Sequence, residues 1–380
     1  MNLFVLSESS DDKNHVSNAV GQTLEDVIAS TCNATFIYPF KNDRIELLNG
    51  LQFSDAPYLR RFRHRIFKSW YTLDSLPQLG KNQNILLIIG MQPFGLLAMH
   101  ALKDQLNQFD LKIGYILDGF NPNELDRSLI GNLDHLFVIS AELADHMNDL
   151  GYVPTHFLPI ATDVSRYGSL NPHRWIDIIS YGRTNPQVHR TLQQHFYSPN
   201  QPNCKRNRVY YRSTFARGDA DNLQDHISIL SRLLSCSKVS LCFEASHTPR
   251  FMGYSPLLYR WFEGWAAGCT LVGKKPFGKG TADLMDWENS TINLPDSSTE
   301  WIPFLEELLK DSEWLSLNAQ RNYRESLLRH DWRYRLQDLF KIVELPVPET
   351  LKLEITALTN QAQSLSIPSR AKMSSMGSVA

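Results

Sequence analysis

Short aliphatic runs alternate along this chain with segments whose apolar residues recur at helical spacing, and that alternation limits the fold more than any other feature. The runs Leu3–Leu6, Ala34–Tyr38, Ile85–Ile89, Ile113–Leu117, Leu136–Ile139 and His156–Pro159 read as strands. Between them, Thr23–Ser30, Leu96–Asn107 and Ala141–Leu150 read as helices. Such alternation implies βαβ units and a mostly parallel sheet covered on both faces. Over Asp163–Arg174 the pattern lapses into Gly, Asn and Pro, a natural linker, and then resumes. Ile176–Ser180, Arg208–Tyr211, Val239–Phe243 and Cys269–Val272 are the later strands, and Leu223, Ile227, Leu230 and Leu234 mark a helix within Asp219–Cys236. Another buried helix face, Leu257, Leu258, Trp261, Phe262 and Trp265, ends at Gly268, where left-handed geometry is easiest. Ser297 and Glu300 have the spacing of a capping box ahead of Trp301.

Two α/β halves joined by one linker suit a chain of 380 residues. The expected units are residues 1–165 and 172–345, then a helix at 346–364 and a flexible tail at 365–380 rich in Ser, Met and small residues. Two doubly wound domains turn the carboxyl ends of their strands toward a shared cleft, where ligands of open α/β sheets bind. With 38 basic and 40 acidic residues the net charge is −2, which disfavours a protein whose main task is to grip nucleic-acid phosphates. The amino terminus has no basic stretch ahead of its apolar run, so it reads as a strand and not as a secretory signal. The uncharged stretch from Asn82 to Leu102 is interrupted by Gly90, Gln92, Pro93 and Gly95, so it reads as strand, turn and helix rather than a membrane span. Five widely spaced cysteines with no CxxC pair argue for reduced thiols in a cytoplasmic protein and against a zinc site.

The most informative stretch is Ser255–Gly273, SPLLYRWFEGWAAGCTLVG. Through Arg260, Phe262, Glu263, Ala266, Ala267, Gly268 and Thr270–Val272 it resembles the C-terminal half of GT-B glycosyltransferases, most closely family 4 and the spore-maturation-protein type. The resemblance implies a GT-B architecture: two Rossmann-like doubly wound domains facing a central cleft, the first on the acceptor side, the second binding a nucleotide-sugar. A carboxylate on such a helix accepts hydrogen bonds from two sugar hydroxyls, and by resemblance Glu263 holds the ribose. One departure is plain. The usual motif has two glutamates eight apart, and the position eight before Glu263 is Ser255.

A second match is Ile178-Ile179-Ser180-Tyr181-Gly182-Arg183, which resembles the strand and Gly-Arg segment of family 4. There glycine lets the backbone pass close to the ligand and arginine reaches the phosphates, as a permanently charged planar fork can. The usual lysine a few residues later is missing. The segment Cys242–Arg250 follows a strand and should overhang the cleft, which makes His247, Arg250 and Ser255 candidate pyrophosphate contacts, with Lys274 beyond the next strand. Asp118 ends an apolar strand at the point where GT-B proteins face the donor, and it suits a donor-sugar contact or a catalytic base. A carboxylate there serves equally as a turn or cap residue. Leu133–Pro159 resembles the family's strand, helix and strand ahead of the crossover, and His330–Arg335 its terminal helix region, a structural role. Arg60, Arg61, Arg63, Arg65 and Lys68, interleaved with Leu59, Phe62, Ile66 and Trp70, suit an ordinary amphipathic helix, or a weak contact with anionic lipid.

The resemblance therefore implies a metal-independent glycosyltransferase, retaining like most of its family, that needs no cofactor. It moves a sugar from a nucleoside diphosphate to a saccharide, lipid or protein acceptor. Two alternatives remain open on the sequence: a binding or scaffold protein with a degenerate cleft, and a sugar-nucleotide epimerase.

Overall fold

Asn84–Gly90 is buried along its whole length in the computed structural model, as expected of a central strand in a parallel sheet with both faces covered. The structure describes residues 1–7, 15–41, 71–125, 127–182, 185–197, 208–213 and 220–365. Among these, the first sheet contains β1 (Asn2–Ser7), β2 (Thr35–Ile37), β5 (Asn84–Gly90), β6 (Leu111–Ile116), β7 (His135–Val138) and β8 (Thr155–Phe157). All its strands are parallel, in the order β2-β1-β5-β6-β7-β8. A two-residue antiparallel pair, β3 (Phe40–Lys41) and β4 (Tyr71–Thr72), stands apart from it. The second sheet holds β9 (Ile176–Ser180), β10 (Tyr210–Arg212), β11 (Ser237–Phe243), β12 (Thr270–Lys274) and β13 (Ile292–Asn293). It too is parallel, in the order β10-β9-β11-β12-β13.

Strand periodicity sends alternate residues to opposite faces. Phe4, Leu6, Leu86 and Ile88 pack with the segments Pro93–Gln108 and Ala141–Leu150. Leu3, Val5, Ile85, Leu87 and Ile89 pack with helix Ala19–Thr31, in a core that continues into the second domain through Ile176, Trp261, Trp265 and Trp332. The second sheet buries Ile178, Val239, Leu241 and Val272 beneath helices Pro186–Tyr197 and Trp301–Leu308. Because one apolar core serves both domains, their relative placement is fixed by packing as well as by the linker.

The linker itself is anchored. Asp163 caps the turn Val164–Tyr167 by accepting the Arg166 N–H at 3.2 Å. Arg333 then reaches Asp163 at 3.0 Å, Asp331 at 2.8 Å and Glu354, gathering the linker and the last two helices, Trp332–Ile342 and Glu349–Ser364. Trp332 crosses to the first domain, donating to the Thr23 hydroxyl at 3.1 Å and meeting the Tyr115 ring edge-on.

Three local expectations need correction. Ser297 does not form a capping box: its hydroxyl meets Thr299 at 2.8 Å, and Glu300, the residue before Trp301, makes no side-chain cap. Leu96–Asn107 lies in a 3-10 segment, Pro93–Gln108, broken at Lys103 (φ 51°). Residues 96–102 are apolar apart from His100, so packing on the sheet sets the geometry there where helical period does not. The linker's first residues, Asp163 and Val164, are buried rather than loose. The basic amphipathic segment 59–70 lies outside the described residues, as do Arg183 and nearly all of the tail. No helix among the described residues is long and apolar enough to cross a membrane.

Candidate functional site

In each sheet the first strand lies between the second and third, so neighbouring connections leave it toward opposite faces. The carboxyl ends of β9 and β11 part at this switch point, where open α/β sheets leave a crevice. Three sequence elements meet there: Tyr181–Gly182 after β9, the loop Glu244–Arg250 after β11, and helix Tyr259–Ala266. Gly182 turns the chain at φ 62°, a conformation that glycine adopts without steric cost.

Glu263 stands on that helix, half-buried. The Tyr181 hydroxyl donates to Glu263 Oε2 at 3.0 Å, and Arg260 Nη1 donates to the Tyr181 carbonyl at 3.3 Å. Burial pushes the Glu263 carboxyl up to about 8, although the Tyr181 hydrogen bond and the Arg260 charge draw it down. One turn earlier, the Tyr259 hydroxyl lies 3.1 Å from Thr23 of the first domain and 3.4 Å from Thr162 of the crossover. The Glu263 helix therefore sits on the seam between the domains.

The raised carboxyl has a pH consequence. Folded protein keeps this proton up to about 8, whereas an ordinary glutamate releases it near 4.5. The contribution to stability is fully present below 4.5 and disappears as pH rises through about 8. Urea unfolding of wild type and Glu263→Gln across that range should show a downward slope in the wild type that the variant lacks.

Around Glu244 the expectation for Ser255 needs correction. This carboxylate, 4% exposed, accepts the Ser246 N–H at 2.8 Å and the Ser255 hydroxyl at 3.1 Å, with Lys274 Nζ at 3.8 Å. Burial opposes its ionisation, yet the Ser246 and Ser255 hydrogen bonds and Lys274 hold it below the usual range. Ser255 is 1% exposed, and its oxygen also accepts the Phe277 N–H at 3.2 Å, so it braces two loops and presents no open hydroxyl. Lys274 is largely exposed at the end of β12. Glu244 was overlooked as a candidate, yet it carries the same signal as Asp118: an acid directly after an apolar strand.

Asp118 and Arg250, weighed separately in the sequence, are partners across the cleft. Arg250 Nη1 and Nη2 each donate to one Asp118 oxygen at 2.9 Å. Phe120 and Phe251 pack beside them with ring centroids 4.5 Å apart. A second bridge lies along the same rim, where Lys279 donates its N–H to Glu142 at 2.7 Å and its ammonium to Asp145. His247 is exposed on the Arg250 loop.

The site thus joins Gly182 to Glu263 through Tyr181 and Arg260, joins Ser255 to Lys274 through Glu244, and joins Arg250 to Asp118. Arg250 and Lys274, on the loop after β11 and at the end of β12, and the half-buried Glu263 on the helix between those strands suit a ligand with phosphate at one end and hydroxyls at the other. Among the described residues no three His, Cys, Asp or Glu side chains gather as a metal site. Against the expectation that the chain has no Asp-x-Asp triplet, one does occur, Asp219-Ala220-Asp221. Asp221 is exposed ahead of helix Leu223–Ser235, and Asp219 lies outside the described residues.

No protein-family model and no curated protein matches the chain. Solved structures do. Anabaena HepE, crystallised with UDP-glucose, superposes with a TM-score of 0.52 at 11% identity, spanning 90% of this chain and 100% of that one. An α-glucosyltransferase crystallised with UDP and a 13-mer DNA gives 0.51 at 11% identity, with the same coverage. The fold is therefore GT-B: two Rossmann-like, doubly wound domains facing one cleft.

Proposed function

We propose that the chain is a glycosyltransferase that binds a nucleoside-diphosphate sugar in the cleft and passes the sugar to an acceptor. The observation carrying this reading is the placement of Glu263, half-buried at the switch-point crevice with Tyr181 donating to one carboxylate oxygen and the first domain close by. On this reading two ribose hydroxyls donate to that carboxylate, and their hydrogen bonds favour its ionised form. The similarity to structures solved with UDP or UDP-glucose makes UDP the first nucleotide to test.

In the transfer, the bond from the anomeric carbon to the diphosphate oxygen breaks and a bond to the acceptor oxygen forms. The acceptor proton leaves with the diphosphate or to a base. On this reading Arg250, Lys274 and Arg183 stabilise the departing charge, the task a metal performs elsewhere. Retention of configuration follows from the family-4 resemblance alone. Asp118 can serve as base only after Arg250 lets it go, since both its oxygens are engaged. Glu244 is the acid beside the place of the missing glutamate, its carboxylate 3.1 Å from the Ser255 hydroxyl, and there it braces the loop and holds Lys274.

Calorimetry tests the reading. Wild type should bind UDP, and Glu263→Ala should lose about 1.5–3 kcal/mol of that affinity, roughly ten- to 150-fold, with its melting temperature near wild type. Unchanged UDP affinity in the variant would remove the ribose contact and the argument built on it.

A further inference from the structure

Arg250 and Asp118 meet from opposite domains in a geometry that phosphate also satisfies. Two parallel N–H groups of one guanidinium meet two oxygens of one carboxylate, each at 2.9 Å. A phosphate offers the same pair of acceptors with more negative charge. The pair is wet, Arg250 being 40% and Asp118 22% exposed, so it is weak enough to exchange. Beneath it the packing is firm. Phe251 and Phe120 are buried, and the Arg250 guanidinium lies 4.6 Å above the Phe251 ring. The face of that ring attracts the guanidinium independently of Asp118. Arg250 also belongs to the loop leaving β11 beside the switch-point crevice, with Glu244 and His247 on the same loop.

We infer that Asp118 is a specificity-determining residue: its carboxylate occupies, on Arg250, the place of a diphosphate. A ligand carrying a diphosphate must displace a carboxylate of the first domain, and a ligand without one leaves the pair intact. One ion pair breaks and another forms, so the first domain loses a tether at the moment the second gains its anion. This inference deepens the donor reading and rests on it only for the nucleoside portion of the ligand.

Calorimetric titration of UDP, uridine and inorganic pyrophosphate into wild type, Asp118→Asn and Arg250→Ala at one ionic strength provides the test. Asn keeps the shape of Asp and removes the competing charge. Asp118→Asn should bind UDP and pyrophosphate about two- to five-fold more tightly, and uridine as wild type does. Arg250→Ala should bind both phosphate ligands more weakly. The inference is overturned if Asp118→Asn binds UDP and pyrophosphate no more tightly, if uridine tightens equally, or if pyrophosphate binds neither protein. Should UDP and uridine fail to bind wild type while pyrophosphate still tightens in the variant, the donor reading falls and the exchange at Arg250 stands.

Discussion

Replacing Arg333 with alanine is expected to lower the free energy of unfolding by about 3–5 kcal/mol, the scale seen when one partner is removed from a buried ion pair. Its guanidinium holds Asp163 at 3.0 Å and Asp331 at 2.8 Å, and all three side chains are nearly inaccessible. Burial already pushes the Asp331 carboxyl upward, with Arg333 drawing it back and Asp163 adding to the rise. Without the arginine, two neighbouring buried acids lose the charge they share, which pushes the Asp331 carboxyl further upward. Asp331 cannot simply turn away, because the Val164 N–H at 2.8 Å and the Ser165 N–H at 3.3 Å depend on it. Adding Asp331→Asn to Arg333→Ala should therefore recover part of the loss, since the amide oxygen still accepts those N–H groups. Urea midpoints of wild type and the two variants measure both effects. A loss under about 1 kcal/mol in the single variant would mean that water reaches these acids and screens them.

Gly273→Ala carries the second large effect. Gly273 lies in β12 opposite Cys242 of β11, at φ 154°, and a methyl group there would stand 1.9 Å from the Cys242 carbonyl oxygen. The obstacle is backbone, which cannot swing aside as a side chain can, so the two strands must part. The cost is about 3 kcal/mol or more, at the severe end for a single residue. The damage should extend to ligand binding, since the Glu244 N–H donates to the Lys274 carbonyl at 3.0 Å one step further along the pairing. Gly151→Ala is the control: it has φ 65° but open space around it, so it should cost only the left-handed penalty of about 1–2 kcal/mol. Thermal melts that ranked the two variants equally would show that crowding at β12 is relieved by a shift of the strands.

The parallel strands were readable because burial on both faces leaves an unbroken aliphatic run, as in Ile85–Ile89, which the structure extends by one residue at each end. Ile176–Ser180 and Ala141–Leu150 have the bounds expected of them, the latter because Ser140 caps one end and Gly151 turns left-handed at the other. β13, Ile292–Asn293, has only two residues and too little apolar length to stand out. At the site, single residues were legible while pairings were not. Glu263 could be read from the helix and Ala-Ala-Gly turn around it, but Tyr181 as its donor depends on where β9 ends relative to that helix. Asp118 and Arg250 are 132 positions apart, and no periodicity connects them. Ser255 looked like a ligand contact from its place before the helix, yet its burial is decided by the loop after β12, which closes over it.

Trp332 and the helices near the carboxyl terminus rest on the first domain, and this bears on how the chain matures on the ribosome. The β1–β8 unit is fully translated long before the tryptophan that covers Thr23 and Tyr115 emerges. At roughly 5–20 residues per second, some ten to thirty seconds separate the two events. During that interval the nascent amino-terminal half has an oily flank bare to solvent, an opportunity for a chaperone, and its own last helices are the permanent replacement.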